Sequence, residues 1–352
     1  MSNSPLFAIL VAAHQTAPYL HKALDSVLAQ TCGDFECMVI VEESTDDSLA
    51  IAQEYARRDS RFRAISLPRS GSAAVSRNYG IDHARGEYLV FLDGDDWLEN
   101  DLLNAASEAI GNHAGLDVFH FGTQEIRETA DGELIPGGYL ANLPPREDGK
   151  LMTGHDFTIK TDANGTVHGY AWLNICRVQF LRENRLCQNA GLLMEDFEWS
   201  FRCQYLAKSV FFRNLPLYVY RRREKSVTTT RSSRLLFDSI RQFAFVQPFI
   251  DQYQVPEAVQ RCWANKWLSL LLMLFFHPGA SRKHPPGERI CARNLLMSPP
   301  TLETLRHFSR LVRRPKRVGV QLFLLSRHVG NWLPWLYFRL IYYPLALRRR
   351  HR

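Results

Sequence analysis

The chain reads as an α/β protein: a mostly parallel sheet flanked by helices, followed by a helical, basic C-terminal extension. Three observations predict this. Short, continuously apolar runs alternate with amphipathic stretches over about the first hundred residues, one of those runs ends in LDGDD, and beyond about Arg231 the composition turns to Leu, Phe, Trp and Arg. Apolar strands separated by helices belong to sheets covered on both faces.

Taken in order, FAILVAA is the first strand and a helix follows from about Pro18 to Gln30. FECMVIV is the second, with a helix from about Asp46 to Arg57; RAISL is the third, with a helix from about Ser72 to Ala84; EYLVFLD closes the series. Ligands of such sheets bind beyond the carboxyl ends of the strands. That places Ala12 to Gln15, Glu42 with Glu43, Pro68 to Ser70, and Asp93 to Asp96 along one rim. Residues 117–190 are less regular, and ADGELIPGGYLANLPPREDGK reads as a surface loop or hairpin. Another helix begins at Met194, and SVFFRNLPLYVYRRR reads as two short strands divided by Pro216. The change of composition divides the chain into an α/β domain, residues 1–230, and a helical region, residues 231–352.

With 352 residues and 46% apolar content the chain can bury a large core, so disorder is not the default. A net charge of +7 suits an anionic partner: nucleic acid, a phosphorylated small molecule or an anionic membrane. Seven cysteines, odd in number and without a C-x-x-C pair, read as reduced thiols of a cytosolic chain. The N-terminus MSNSPLFAILVAAHQ lacks the basic start and long apolar core of a secretory signal, so export is not expected. The longest apolar stretches are short or, between Gly330 and Leu347, interrupted by Pro334 and Arg339, which disfavours a membrane span.

Three carboxylates within four positions, Asp93, Asp95 and Asp96, repel one another unless something offsets them. A hard divalent cation such as Mg²⁺ or Mn²⁺ prefers oxygen ligands and would do so, its remaining positions holding a diphosphate. The plainer reading is a solvated turn in which Asp95 or Asp96 caps a helix starting near Trp97. A second acidic pair, Glu195 and Asp196 in MEDFEWSFR, precedes an amphipathic helix, where acids also favour the helix dipole.

The order of VAAHQTAPYLHKALDSVLAQT, DFECMVIVEESTDDS, SAAVSRNYGIDHARGEYLVFLDGDDW and LLMEDFEWSFR resembles the family-2 inverting glycosyltransferases with the GT-A fold, over roughly residues 5–230. The resemblance implies that Asp95 and Asp96 bind metal and, with Asp93, the diphosphate of a nucleotide sugar. It implies that Asp196 is the base for the acceptor hydroxyl, oriented by Glu195. Glu42 corresponds to a base-reading aspartate, although Val41 and Glu43 depart from the family's pattern; otherwise Glu42 and Glu43 form a solvated loop before a helix capped by Ser44 or Thr45, with Asp46 and Asp47 in its first turn. Arg77 matches an arginine that faces the nucleotide, and otherwise would pair with Asp82 or solvent. Ala13 offers a main-chain contact that survives the replacement of the usual proline and asparagine by Ala12 and Gln15. In YVYRRREKSVTTT, Arg221, Arg222, Arg223 and Ser226 follow a pattern in which a basic residue faces the diphosphate, with Arg222 and Arg223 taken as donor-binding. Residues of a strand alternate faces, so at least one of the arginines is solvated. His168 and Trp172 line the acceptor side on this reading, and a place in the core or rim is the plainer one.

After Glu303 no acidic residue occurs, and the tail mixes arginine with Trp, Tyr, Phe and Leu. That combination suits an anionic membrane surface, with a helical cap bearing a solvated basic face as the alternative. A nucleic-acid partner is not expected. The expected whole, as the resemblance implies it, is a metal-dependent transferase using a UDP-linked nucleotide sugar on a glycan or lipid-linked acceptor at the cytoplasmic face of a bacterial inner membrane. Two rivals stand beside it. FLDGDD also resembles the nucleophile motif of haloacid-dehalogenase-type phosphatases, and the departures at Val41 and Glu43 suit a non-catalytic glycan- or membrane-binding module.

Overall fold

The structure is a computed structural model that describes residues 4–129, 131–164, 169–223, 233–276, 286–299 and 301–312, with 317–318 and 320–321. The chain forms two compact units. The first comprises Met1–Phe157 and His168–Thr229, the second Thr158–Val167 and Thr230–Arg352.

In the first unit the expected alternation is present: β1 (Phe7–Ala13), α1 (Ala17–Leu28), β2 (Phe35–Glu42), α2 (Ser48–Arg58), β3 (Phe62–Leu67), α3 (Ala73–His83) and β4 (Tyr88–Asp93). Then come β5 (Trp97–Leu98), α4 (Leu102–Asn112), β6 (Val118–Glu128), β7 (Leu134–Leu140), β8 (Lys150–Met152) and α5 (Gly154–Asn164), the last belonging to the second unit from Thr158 onward. The series ends with β9 (Asn174–Arg177), α6 (Val178–Glu183), α7 (Glu195–Leu206) and β10 (Val210–Arg222). The sheet runs β3-β2-β1-β4-β9-β6-β10-β5, with β7 beside β6 and β8 beside β10. Its first four strands are parallel, and β9 lies antiparallel between β4 and β6. Crossover helices cover these strands, which is why β1 and β2 are buried along almost their whole length.

One alternative left open by the sequence is decided here, and one element differs from the sequence reading. The turn-rich segment is a hairpin, because β7 pairs antiparallel with β6. The run around Pro216 is one strand rather than two. Its pairing with β6 shifts register on either side of Pro216, so the strand bulges where proline cannot donate and then resumes from Tyr218 to Arg222.

The second unit is helical in its described part: α8 (Ser233–Arg241), α9 (Phe243–Tyr253), α10 (Glu257–Phe276), α11 (Pro286–Leu296) and α12 (Thr301–Leu311). Trp263, Trp267, Leu305 and Phe308 are buried in it. Among the described residues no helix is long and apolar enough to cross a membrane. The basic tail from residue 322 onward lies outside the described residues.

Candidate active site

Parallel pairing sets the first half of the site. Ala12 lies opposite Asp93, so β1 and β4 end together at the rim. The turn that follows is tight, with the Gly94 N–H donating to the Ala12 carbonyl at 2.9 Å. A Cβ on Gly94 would come within 3.0 Å of Thr16 Oγ1, 3.1 Å of the Ala12 oxygen and 3.3 Å of Ala13 Cβ. A side chain at this position would require these neighbours to give by a few tenths of an ångström.

No helix starts at Trp97. Trp97 and Leu98 pair antiparallel with Val219 and Tyr218, and α4 begins only at Leu102, so neither Asp95 nor Asp96 is a helix cap. Asp96 instead pins the loop to β10. It is 1% exposed, its Oδ2 accepts from the Tyr218 hydroxyl at 2.7 Å, and its Oδ1 accepts from the Arg221 N–H at 2.7 Å. Burial, with Asp95 and Asp93 nearby, pushes its carboxyl well above the usual range. The metal-ligand role expected of Asp96 does not suit this position, because both oxygens are committed inside the protein.

Asp93 and Asp95 remain partly exposed, with side chains 29% and 21% accessible. Asp95 Oδ2 accepts from Arg223 Nε at 2.9 Å; burial raises this carboxyl while Arg223 opposes the rise. The Asp93 N–H donates to the Tyr218 hydroxyl at 3.2 Å. Among the described residues no group of three or more His, Cys, Asp or Glu is arranged to enclose a metal alone. Two rim carboxylates still fit a hard cation that takes its other ligands from a diphosphate or water. The buried Thr16 Oγ1, without a hydrogen-bond partner and close to Gly94, adds an oxygen at the same loop.

Arg77 joins this loop to the second acidic pair. It lies on α3, whose first turn is capped by Ser72 accepting from the Ala74 N–H. Its guanidinium, 4% exposed, donates from one terminal nitrogen to Asp93 Oδ1 at 2.8 Å and from the other to Glu195 Oε1 at 3.1 Å. Neither Asp82 nor the solvent is its partner; the group expected to face the nucleotide is a buried clamp between two motifs. The loop before α7 is fastened to the same helix. Asn78 donates to the Gln188 carbonyl at 2.9 Å and accepts from its N–H at 2.7 Å, and Ser72 Oγ donates to the Leu192 carbonyl at 2.9 Å.

Helix α7 opens on Met194, which is left-handed at φ 59°, and presents Glu195 and Asp196 in its first turn. Trp199 anchors the helix, donating to the Leu186 carbonyl at 2.7 Å and packing edge-on against Phe91 of β4. The Asp196 carboxylate accepts from the Ala171 N–H. Burial pushes Asp196 up to about 6 and Glu195 up to about 7, with Arg77 opposing the rise in both. A carboxyl in that range is suited to accept a proton near neutral pH.

The nucleotide side departs from expectation at Glu42. Its carboxylate is 4% exposed and accepts from Ser70 N–H at 3.0 Å, Ser70 Oγ at 2.8 Å and Ser76 Oγ at 3.1 Å. It therefore organises the β3–α3 loop, and a base could reach it only by displacing those donors. Glu43 is exposed. Ser44 and Thr45 do not cap α2; they accept from the main chain and side chain of Gln15, whose φ is 52°. Ala13 is buried at the end of β1, opposite Val41.

On β10 the arginines alternate as a strand requires. Arg221 is buried, donating from Nε to the Asp95 carbonyl at 2.9 Å and lying over the rings of Tyr19 and Trp97. Arg222 is half-exposed and pairs with Glu125 at 3.3 Å, away from Asp95. Arg223 returns to the acidic loop, against Asp95 and over Tyr19. Of the two donor-binding arginines expected, the structure brings only Arg223 to the acidic loop. Trp172 is 3% exposed, stacked between Tyr218 at 4.5 Å and Tyr170 at 4.7 Å, so it backs the site instead of lining it. His168 and Ser226 lie outside the described residues. Sequence reasoning missed Tyr218 and Tyr19, for which the only signal is the Y-x-Y alternation leading into the arginines and a tyrosine near the start of α1.

The sequence profile described as Glycosyl transferase family 2 matches residues 8–164, which carry the acidic rim and Arg77. EpsH of Bacillus subtilis, whose name assigns it as a glycosyltransferase, is 32% identical over 242 residues, covering 67% of this chain and 66% of its own length, just under two thirds. The crystal structure of S. aureus TarS 1-349 in complex with UDP-GlcNAc has a similar fold, with a TM-score of 0.72 at 18% identity, covering 95% of this chain and 91% of that one. The mannosyltransferase PcManGT from Pyrobaculum calidifontis, in complex with GDP-Man and Mn²⁺, is more distant, with a TM-score of 0.52 at 16% identity and coverage of 93% and 87%. In the present chain the acidic loop closes the fourth strand of a GT-A sheet, not the first as in the phosphatases, and the chain belongs to glycosyl transferase family 2.

Proposed function

We propose that the chain is an inverting glycosyltransferase that moves a sugar from a UDP-linked donor to a hydroxyl of a cell-surface glycan or lipid-linked acceptor. The observation that carries this is Arg77, which holds a strand-end acidic loop and a separate carboxylate pair on one buried cation. One acidic group serves the leaving diphosphate and the other serves the incoming hydroxyl. In the reaction Asp196 takes the proton of the acceptor hydroxyl as its oxygen bonds to the anomeric carbon, opposite the bond to the diphosphate, which breaks and leaves with its electron pair. Glu195, held by Arg77, orients Asp196. Asp95 and Asp93 would hold Mg²⁺ or Mn²⁺, which supplies neutralisation of the leaving diphosphate when bound. Arg223 adds a positive charge beside Asp95, and the Ala13 main chain meets the nucleotide at the end of β1.

On this reading residues 1–230, apart from Thr158–Val167, form the catalytic domain, and residues 231–352 a separate C-terminal region. The basic, aromatic tail docks the enzyme on the anionic cytoplasmic face of the inner membrane, where each basic residue near the surface contributes ~1 kcal/mol. TarS with UDP-GlcNAc supports a UDP-linked donor, and PcManGT with Mn²⁺ supports the metal.

The test is UDP release by the full chain from a panel of UDP-sugars with Mg²⁺ or Mn²⁺, beside Asp95→Asn and Asp196→Asn. Metal-dependent release that both variants lose supports the reading. Donor binding without release in any combination identifies a non-catalytic module instead.

A further inference from the structure

In RSGSAAVS, Ser70, Ser72 and Ser76 surround the start of α3, where the chain turns at Gly71 with φ 72°. Glu42, the last residue of β2, collects them. Its Oε2 accepts from the Ser70 N–H at 3.0 Å, and its Oε1 accepts from the Ser76 hydroxyl at 3.1 Å. The Ser70 hydroxyl stands 2.8 Å from each carboxylate oxygen and accepts the Ser72 N–H at 3.2 Å. Glu42, Ser72 and Ser76 are all buried. Hydrogen bonds to an ionised carboxylate are about twice as strong as neutral ones, and a negative charge is favourable at the start of a helix.

The same helix carries the clamp. Arg77, next to Ser76, joins Asp93 to Glu195, and Asn78 pairs with both main-chain groups of Gln188. Ser72 reaches the loop before α7 as well: its hydroxyl accepts from the Ala74 N–H at 3.3 Å and donates to the Leu192 carbonyl at 2.9 Å, two residues before Met194. Helix α3 is thus tied to β2 through Glu42 and to both acidic motifs through Arg77. In a close-packed interior a shift at one tie is passed to the other. Misplacing a catalytic group by about 1 Å can cost about 10²-fold in rate.

We infer that Glu42 is a positioning residue for the transfer: it sets the first turns of α3, and through Arg77 the placement of Glu195 and Asp93, instead of reading the donor's base. The inference rests on the transferase reading. A carboxylate that reads the base acts on nucleotide affinity and on the choice between bases. One that acts through α3 leaves both in place and lowers turnover.

The experiment compares the full chain with Glu42→Gln, Glu42→Ala and Ser76→Ala. UDP and CDP are titrated against each in the presence of Mn²⁺, because uracil offers an N–H to a carboxylate where cytosine has an unprotonated ring nitrogen. Turnover is followed as UDP release at saturating UDP-sugar. UDP affinity and its ratio to CDP affinity should stay within about twofold of wild type in all three, which also shows them folded. The kcat should fall about tenfold or more in Glu42→Ala and about threefold or more in Ser76→Ala, with donor KM little changed. Glu42→Gln, whose amide oxygen still accepts from Ser70, should keep kcat within about threefold of wild type. Weaker UDP binding or a lost preference over CDP in Glu42→Gln, or unchanged kcat in Ser76→Ala and Glu42→Ala, overturns the inference while the transferase reading stands. Should Glu42→Ala not fold, the other two variants decide in the same way. Absence of UDP release by the wild-type chain from every UDP-sugar overturns both.

Discussion

Arg77 and Glu195, 118 positions apart in the chain, meet at 3.1 Å in the protein interior, and the same guanidinium reaches Asp93 at 2.8 Å. Removing this cation leaves the buried Glu195 carboxylate without its partner, a change that typically costs about 3–5 kcal/mol. Arg77→Met should lower the urea midpoint accordingly. Arg77→Lys should recover only part of the loss, since an ammonium cannot span two acceptors as a planar fork does.

The acid limb of the activity profile should report Asp196. Its carboxyl is pushed up to about 6 by burial, and the base must be anionic, so kcat/KM should fall tenfold per pH unit below that value and level off above it. Because Arg77 opposes the rise, Arg77→Met should move the limb to higher pH. Asp196→Asn should cost about 10²–10⁴-fold in turnover while UDP binding, followed by calorimetry, is retained.

Stability carries the matching sign. Glu195 and Asp196 have folded values of about 7 and 6, above the roughly 4.3 and 3.9 of unfolded chains. Raised carboxyls favour the folded state below the unfolded value, and that contribution is lost as pH rises through the folded one. Between about pH 4 and 7 the pair should therefore oppose a gain of stability with pH. Replacing both by Gln and Asn should flatten this component of the melting-temperature profile.

Asp95 and Asp96 should separate by phenotype. Asp95→Asn should lose metal-dependent UDP binding with little change in melting temperature, and chelation by EDTA should reproduce that loss in the wild type, reversed by Mn²⁺. Asp96→Ala strands the Tyr218 hydroxyl and the Arg221 N–H, at a cost of about 1–3 kcal/mol per buried group. Its melting temperature should drop before any effect on metal is read.

Gly94→Ala tests the crowding at the turn. With Thr16, Ala12 and Ala13 all within 3.3 Å of the added carbon, overpacking should cost about 1–3 kcal/mol and weaken UDP binding together with it. Thermal unfolding with and without UDP separates the two effects.

Strand and helix order up to Asp93 was legible because continuous apolar runs and amphipathic periods do not depend on distant partners. The mixed middle of the sheet was not. The reversed β9 and the single bulged β10 are decided by pairing across the sheet, which no local pattern encodes. At the candidate site, proximity of the two acidic motifs followed from the family resemblance, but the division of labour did not. Asp95 and Asp96 are adjacent and chemically identical in sequence; only the Tyr218 hydroxyl and the Arg221 N–H, more than a hundred residues away, turn one inward. The partners of Glu42 were hidden for the same reason, since its donors Ser70 and Ser76 come from another loop and helix.

Strand β10 turns two sets of side chains to opposite sides. Tyr218, Tyr220 and Arg222 point one way, toward Trp172 and Glu125, while Arg221 and Arg223 point the other, toward Tyr19 and Asp95. The bulge at Pro216 sets the phase of that alternation. A single-residue insertion or deletion downstream of it would exchange the two sets wholesale, so the geometry here depends on the length of the strand before its composition.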